Sequence, residues 1–260
     1  MLTFPGSDTP SFGAARYRSD LSNGSRLGGR HAAAYASWRT ADYARRVLRP
    51  ARGIDRVLVS NVGGVRVQRA LTLAARTQGI GVGFVSVPRR GGGISIGYVE
   101  PWRLGVDRFV AMLAAHQLYP RVPLCVVGVG TAMTIDVVGA DGRHRGGLII
   151  PAPELMVQTL LHNTQGIRRR AQGGAKDRSS LLGRSTRAAI VEGARSAAAA
   201  LIDRTVESAR AFFGRKPLVV LTGGEASAVR SRLRSRSVEV NDLVLRGLAI
   251  LAITAPESRG

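Results

Sequence analysis

The 260-residue chain predicts an α/β protein of two similarly built lobes. Apolar, β-branched runs of strand length alternate with helix-length stretches, Gly-rich turns follow the strands, and the order strand, Gly-rich turn, helix recurs in both halves. The composition, 45% hydrophobic and 21% charged, is that of a globular chain and excludes an intrinsically disordered one. The 32 Gly and 11 Pro show no triplet period, which excludes collagen. A single cysteine, Cys125, excludes a disulfide scaffold and a Cys-rich zinc site and leads us to expect a cytoplasmic protein.

Taken in order, residues 1–53 are the least regular part, because Pro5, Gly6, Pro10, Gly13, Gly24, Gly28 and Gly29 interrupt any period. Only Ala32 to Leu48 reads as helix there, and no strong strand is expected to open the chain. Arg56 to Val62 then reads as a buried strand, Val65 to Thr77 as a helix and Gly81 to Val87 as a second strand. After a loop at Gly91 to Gly93, Val106 to Leu118 aligns Phe109, Leu113 and Gln117 along one helical stripe with Met112 beside it.

Pro123 restarts the pattern. Leu124 to Val129, Ala132 to Val138 and Gly147 to Ile150 predict an antiparallel meander, with Gly139-Ala140-Asp141-Gly142 as its second turn. Ser185 or Thr186 can cap a long helix that runs to Phe213 and stops at Gly214. Pro217 to Leu221 is a buried strand, and Asp242 to Ile253 closes the chain as a helix. This gives an atypical N-terminal segment (1–53), the remainder of an N-terminal lobe (54–122) and a C-terminal lobe (123–260).

The formal net charge of +21, from 38 Lys plus Arg against 17 Asp plus Glu, raises the possibility of a nucleic-acid partner. Its distribution argues against one. Only Lys176 and Lys216 are lysines, the arginines are scattered through almost every segment, and aromatics, at 5%, are not interleaved with the basic clusters. No apolar run approaches the roughly 20 residues that span a bilayer, so no membrane partner is expected.

The Gly-rich turns Gly128-Val129-Gly130-Thr131, Gly146-Gly147 and Thr222-Gly223-Gly224 each follow an apolar strand. Backbone amides in such turns approach phosphate closely and a neighbouring hydroxyl adds a donor, although each could equally be an ordinary connection. None has P-loop or Rossmann spacing. Asp107, in Gly105-Val106-Asp107-Arg108, stands where a helix start favours an anion; an N-terminal cap with an ion pair is the alternative. His116, His144 and His162 lack metal-ligand spacing and read as surface or core histidines, and Cys125 reads as a small core residue.

One ordered set of motifs runs from about residue 54 to the end: Tyr98…Pro101…Leu104-Gly105-Val106-Asp107-Arg108, Gly130-Thr131-Ala132-Met133-Thr134-Ile135-Asp136, Gly146-Gly147, Gly183-Arg184-Ser185-Thr186, Thr222-Gly223-Gly224 and Leu243 to Leu248. With these motifs the chain resembles the type III pantothenate kinases. The resemblance implies the two-lobed acetate and sugar kinase/actin-like (ribonuclease H-like) fold, a homodimer, and transfer of the ATP γ-phosphate to pantothenate at the entry to coenzyme A synthesis. It implies Asp107 as proton acceptor; Tyr98, Gly105, Val106, Asp107, Arg108 and Thr186 as pantothenate contacts; and Gly130, Thr131, Thr222, Gly223 and Gly224 as ATP contacts. It also implies Mg2+ with the nucleotide and an activating K+ or NH4+.

Two positions depart from the family. A DxGNT-type phosphate loop is expected within the first dozen residues, yet the nearest string, Asp20 to Arg26, has the letters in another order and no apolar strand before it. Gly128 stands where the family has the Asp that binds the monovalent cation. These departures keep open a catalytically impaired relative of the same fold, with a ligand-binding or regulatory role. An Arg-rich nucleic-acid-binding protein is the third reading.

Overall fold

Two five-stranded mixed sheets, one in each of two units, carry the fold in this computed structural model, which describes residues 2–4, 11–18, 26–34, 38–48, 54–172 and 181–254. The first unit comprises residues 1–118 and 242–260, the second residues 119–241. Among the described residues, no helix is long and apolar enough to cross a membrane.

In the first unit, β1 (Leu2–Phe4), β2 (Ser11–Arg18) and β3 (Arg26–Ala34) precede a short helix α1 (Thr40–Tyr43) that continues as a π-helical stretch over Ala44–Leu48. Next come β4 (Arg56–Asn61), α2 (Gly64–Arg76), β5 (Gly81–Phe84), the two-residue strands β6 (Arg90–Gly91) and β7 (Ile94–Ser95), and α3 (Val106–Leu118). The sheet runs β3-β2-β1-β4-β5, antiparallel through the first three strands and parallel from β1 through β4 to β5. This corrects the reading of residues 1–53, where no opening strand and a helix from residue 32 were expected. Residues 26–34 pair with β2 as an edge strand, and the helix starts at Thr40. The glycines obscure the strand period, and backbone pairing with a neighbour overrides weak local propensity. Most of the string Asp20 to Arg26 lies outside the described residues.

The second unit holds β8 (Leu124–Val129), β9 (Ala132–Val138), β10 (His144–Pro151), α4 (Pro153–Asn163), α5 (Gln165–Ala171), α6 (Thr186–Phe213), β11 (Leu218–Thr222), α7 (Ala226–Arg230) and β12 (Ser237–Glu239). Its sheet runs β10-β9-β8-β11-β12, again antiparallel through three strands and parallel through the rest. Third, second, first, fourth, fifth is therefore the strand order in both units, and the expected two lobes are similarly built.

The packing explains why these strands read clearly. Val57 and Val59 of β4 are buried with Tyr43, Leu48, Val67 and Leu71, the inward residues of α1, the π-helical stretch and α2. Central strands β8 and β11 are apolar almost throughout, as strands covered on both faces are, and Cys125, Val127, Val219 and Leu221 pack with Ile202 and Val206 of α6. That helix begins where expected: Ser185 Oγ accepts the Ala188 amide at 3.2 Å, and Gly214, at φ 68°, ends it.

The last helix, α8 (Leu243–Thr254), returns to the first unit, whereas the sequence reading assigned it to the C-terminal lobe. It packs along α3, and at the crossing Gly247 lies so close to Val110 that a Cβ would overlap the Val110 carbonyl. Only a residue without a side chain permits that approach. Gly247→Val is expected to destabilise the protein by about 1–3 kcal/mol through overpacking. Gly193→Ala, where a Cβ meets nothing within 4 Å inside α6, is expected to stabilise it by about 0.5–1 kcal/mol. Denaturant unfolding of the two variants checks both signs.

Candidate functional site

The residues singled out by sequence fall into two groups. Tyr98, Gly105, Val106, Asp107 and Arg108 belong to the first unit; Gly128, Gly130, Thr131, Thr186, Thr222, Gly223 and Gly224 belong to the second.

In the first unit, the Pro101–Arg103 turn leads through Leu104 and Gly105 into α3. Leu104 and Val106 are buried and anchor the helix start, while Asp107 is half-buried in its first turn. The Asp107 carboxylate folds back on its own turn: Oδ1 accepts the Arg108 amide at 2.9 Å. It lies 2.6 Å from where a Cβ at residue 105 would stand, so Gly105 makes room for it. Free amides and the helix dipole at this end favour a carboxylate.

Arg108 is an arginine with only 6% of its surface exposed. Its Nη1 donates to the Tyr98 hydroxyl at 2.9 Å, and its Cζ stands 5.5 Å from the centre of the Tyr98 ring. Burial of a guanidinium is costly unless its fork is held. Tyr98 aims it, and so the structure joins two residues that lie ten positions apart in sequence. The result is one carboxylate and one oriented cation at a helix start.

In the second unit, parallel pairing sets Thr222 opposite Gly128, so the turns at the ends of β8 and β11 lie side by side. Gly223 has φ +109°, and a Cβ there would overlap the Val129 carbonyl. Glycine alone closes that gap. Gly223 and Gly224 are exposed, and the Gly130 amide donates to the Ala132 carbonyl at 3.1 Å to shape the other turn. Thr131 accepts the Ala152 amide at 3.0 Å through its carbonyl, which ties this turn to the N-cap of α4. Thr186, the first residue of α6, lies in the same unit.

Gly146-Gly147 has a different role from the other two turns. It sits inside β10, where the register shifts between His144 and Gly146. His144 is a core histidine, with Nε2 3.0 Å from Asp136 Oδ1 and both residues buried. Gly128 offers no side-chain oxygen, and a Cβ there would press against Thr134 Oγ1 at 3.0 Å. The family's carboxylate ligand for a monovalent cation is therefore not reproduced at this position. Among the described residues, no group of three or more His, Cys, Asp or Glu could hold a metal ion.

Sequence reasoning passed over Glu192, Arg195, Glu225 and Arg232, which lie on α6 and on the segment that follows Thr222-Gly223-Gly224. The i, i+3 spacing of Glu192 and Arg195 on a helix was a visible signal; the pairing of Glu192 with Arg232, 40 residues away, was not.

The type III pantothenate kinase family model matches residues 15–208. Among curated relatives, the type III pantothenate kinase of Nitrosococcus oceani is 38% identical over 204 residues, 76% of each chain. That of Herminiimonas arsenicoxydans is 37% identical, covering 77% of this chain and 78% of its own. Among solved structures, the activator of 2-hydroxyisocaproyl-CoA dehydratase from Clostridium difficile, with bound ADPNP, superposes with a TM-score of 0.51 at 13% identity, covering 96% of this chain and 93% of that one. A Campylobacter jejuni protein described as a Baf family transcriptional activator gives 0.56 at 16% identity, covering 97% and 98%. The fold is thus the acetate and sugar kinase/actin-like fold.

Cys125, on the strand that leads to the first turn, is fully buried. Burial and, secondarily, the nearby Asp136 carboxylate push its thiol up to about 12. It is expected to resist a thiol reagent at pH 8 in the native protein and to react at one equivalent after denaturation. Rapid labelling of the folded protein would contradict this.

Proposed function

The chain belongs to the type III pantothenate kinase family, and from that premise we propose that it phosphorylates pantothenate on its 4′-hydroxyl with ATP, the first step of coenzyme A biosynthesis. The observation that carries this reading is the start of α3, where a half-buried Asp107 and a buried, Tyr98-oriented Arg108 stand in adjacent positions.

In this reaction the Arg108 guanidinium pairs with the pantothenate carboxylate, with Tyr98, Gly105 and Val106 beside it; Thr186 is proposed as a pantothenate contact from the family motif alone. Asp107 accepts the proton of the 4′-hydroxyl as its oxygen bonds to the γ-phosphorus and the bond to the β-phosphate oxygen breaks, releasing ADP. Phosphoryl transfer asks a protein mainly to position groups and to neutralise charge. Gly130, its amide held by the Ala132 carbonyl, closes the turn that presents Thr131, and Thr131 with Thr222 to Gly224 meets the nucleotide. Mg2+ arrives with the ATP phosphates, as is usual for that ion. No step is assigned to a monovalent cation, because Gly128 supplies no carboxylate. We further propose a cytoplasmic homodimer; exposed Leu148 and Ile149 on edge strand β10 and Leu160 on α4 are apolar surface suited to a partner chain.

Purified protein with ATP and Mg2+, with and without K+ or NH4+, is expected to form phosphopantothenate and ADP. Asp107→Asn keeps an oxygen for the Arg108 amide but removes the base, and is expected to lower kcat by about 100-fold or more. Absence of product from the wild-type protein under all salts, or full activity of the Asn variant, would refute the assignment.

A further inference from the structure

In the turn Thr222-Gly223-Gly224 the two glycines can present only backbone donors, and neighbouring groups must hold that backbone in place. At its front, Gly223 rests on the Val129 carbonyl. At its back the chain enters α7, a helix of five residues, too short to hold its own geometry. Its far end must therefore be fixed from outside.

That fixing comes from α6. Glu192, six residues past Thr186, has a side chain only 10% exposed. Its Oε2 accepts two bonds from the Arg232 guanidinium, from Nε at 3.0 Å and Nη2 at 2.5 Å, and its Oε1 faces Arg195 Nη1 at 3.5 Å. Arg232 stands two residues beyond α7, so the pair ties α6 to the end of the segment that begins at the turn. Arg195 also acts on Glu225, the residue after Gly224, which stands at the N-cap position of α7 without a side-chain capping bond. Burial first, then the Glu154 carboxylate, push the Glu225 carboxyl above the usual range, while the Glu154 amide and Arg195 favour its charged form. Glu154 lies in the first turn of α4, the helix whose N-cap Ala152 is bonded to Thr131. The charges on α6 and the start of α4 thus bracket both Gly-rich turns.

We propose that Glu192 is a positioning residue for the nucleotide: by holding Arg232 against α6, it sets the orientation in which Thr222 to Gly224 meet ATP. This rests on the reading that those residues are the nucleotide turn. Two hydrogen bonds from one guanidinium to one carboxylate oxygen fix direction as well as distance, which a point charge would not.

Glu192→Gln is expected to raise KM for ATP, and the Kd for ADP measured by calorimetry, about tenfold, with kcat and KM for pantothenate within about twofold, the signature of lost nucleotide binding. Arg232→Gln should give the same pattern, and the double variant should be no worse than either single one, since both remove one interaction. Thermal unfolding shows which variants fold; if Glu192→Gln does not, Arg232→Gln decides. An unchanged ADP affinity in a folded variant overturns the proposal, as does a parallel loss in both KM values and kcat, which marks a merely structural pair. If the wild-type protein makes no phosphopantothenate yet binds ADP, the kinase reading fails, and the calorimetric arm still decides the role of Glu192.

Discussion

The contact between Gly223 and the Val129 carbonyl is the constraint on which the proposed nucleotide turn depends. Parallel strands β8 and β11 are in register from Leu124 opposite Leu218 to Gly128 opposite Thr222, which delivers their ends to the same level. A side chain at 223 would push the ends apart, and a residue other than glycine would resist φ +109°. Backbone conformation and strand register therefore act together. They place two amide-rich turns side by side at the carboxyl ends of adjacent parallel strands, where open α/β sheets bind their ligands.

The groups proposed for the chemistry differ in kind between the two units. The groups proposed for the nucleotide in the second unit are mainly backbone, at Gly223-Gly224, with the hydroxyls of Thr131 and Thr222. Amides suit a chain of phosphates because they carry partial charge without a long side chain to order. The first unit offers side chains: the Asp107 carboxylate, proposed to take a proton, and the Arg108 guanidinium, proposed to meet another carboxylate. These need individual aim, and the helix start supplies it, through the Arg108 amide for Asp107 and the Tyr98 hydroxyl for Arg108. Gly247 matters for the same reason, since it lets α8 lie directly on α3 and so seats the helix that carries both groups.

How much of this was legible in the sequence depends on how local each signal is. The strands Leu124–Val129 and Leu218–Thr222 are buried on both faces and read as unbroken apolar runs, and α6 carries its own start and stop in Ser185 and Gly214. The opening strands were missed because Gly13, Gly28 and Gly29 erase alternation, and their pairing comes from neighbours distant in sequence. The return of α8 to the first unit was invisible because a helix's apolar stripe does not name its partner. In the site, Asp107 and Arg108 were legible as motif residues. That Arg108 is buried and bonded to Tyr98 was not, and neither was the Glu192–Arg232 pair, since no local spacing encodes a contact between α6 and the segment after α7.

The central claim is that backbone held by close strand packing, rather than any side chain cage, recognises the nucleotide. Calorimetric titration of Gly223→Ala with ATP tests it most directly, with circular dichroism to show the native fold. A methyl group at 223 should displace the turn and weaken binding by about tenfold or more, a change of at least about 1.4 kcal/mol. Wild-type affinity in the folded variant would contradict the account.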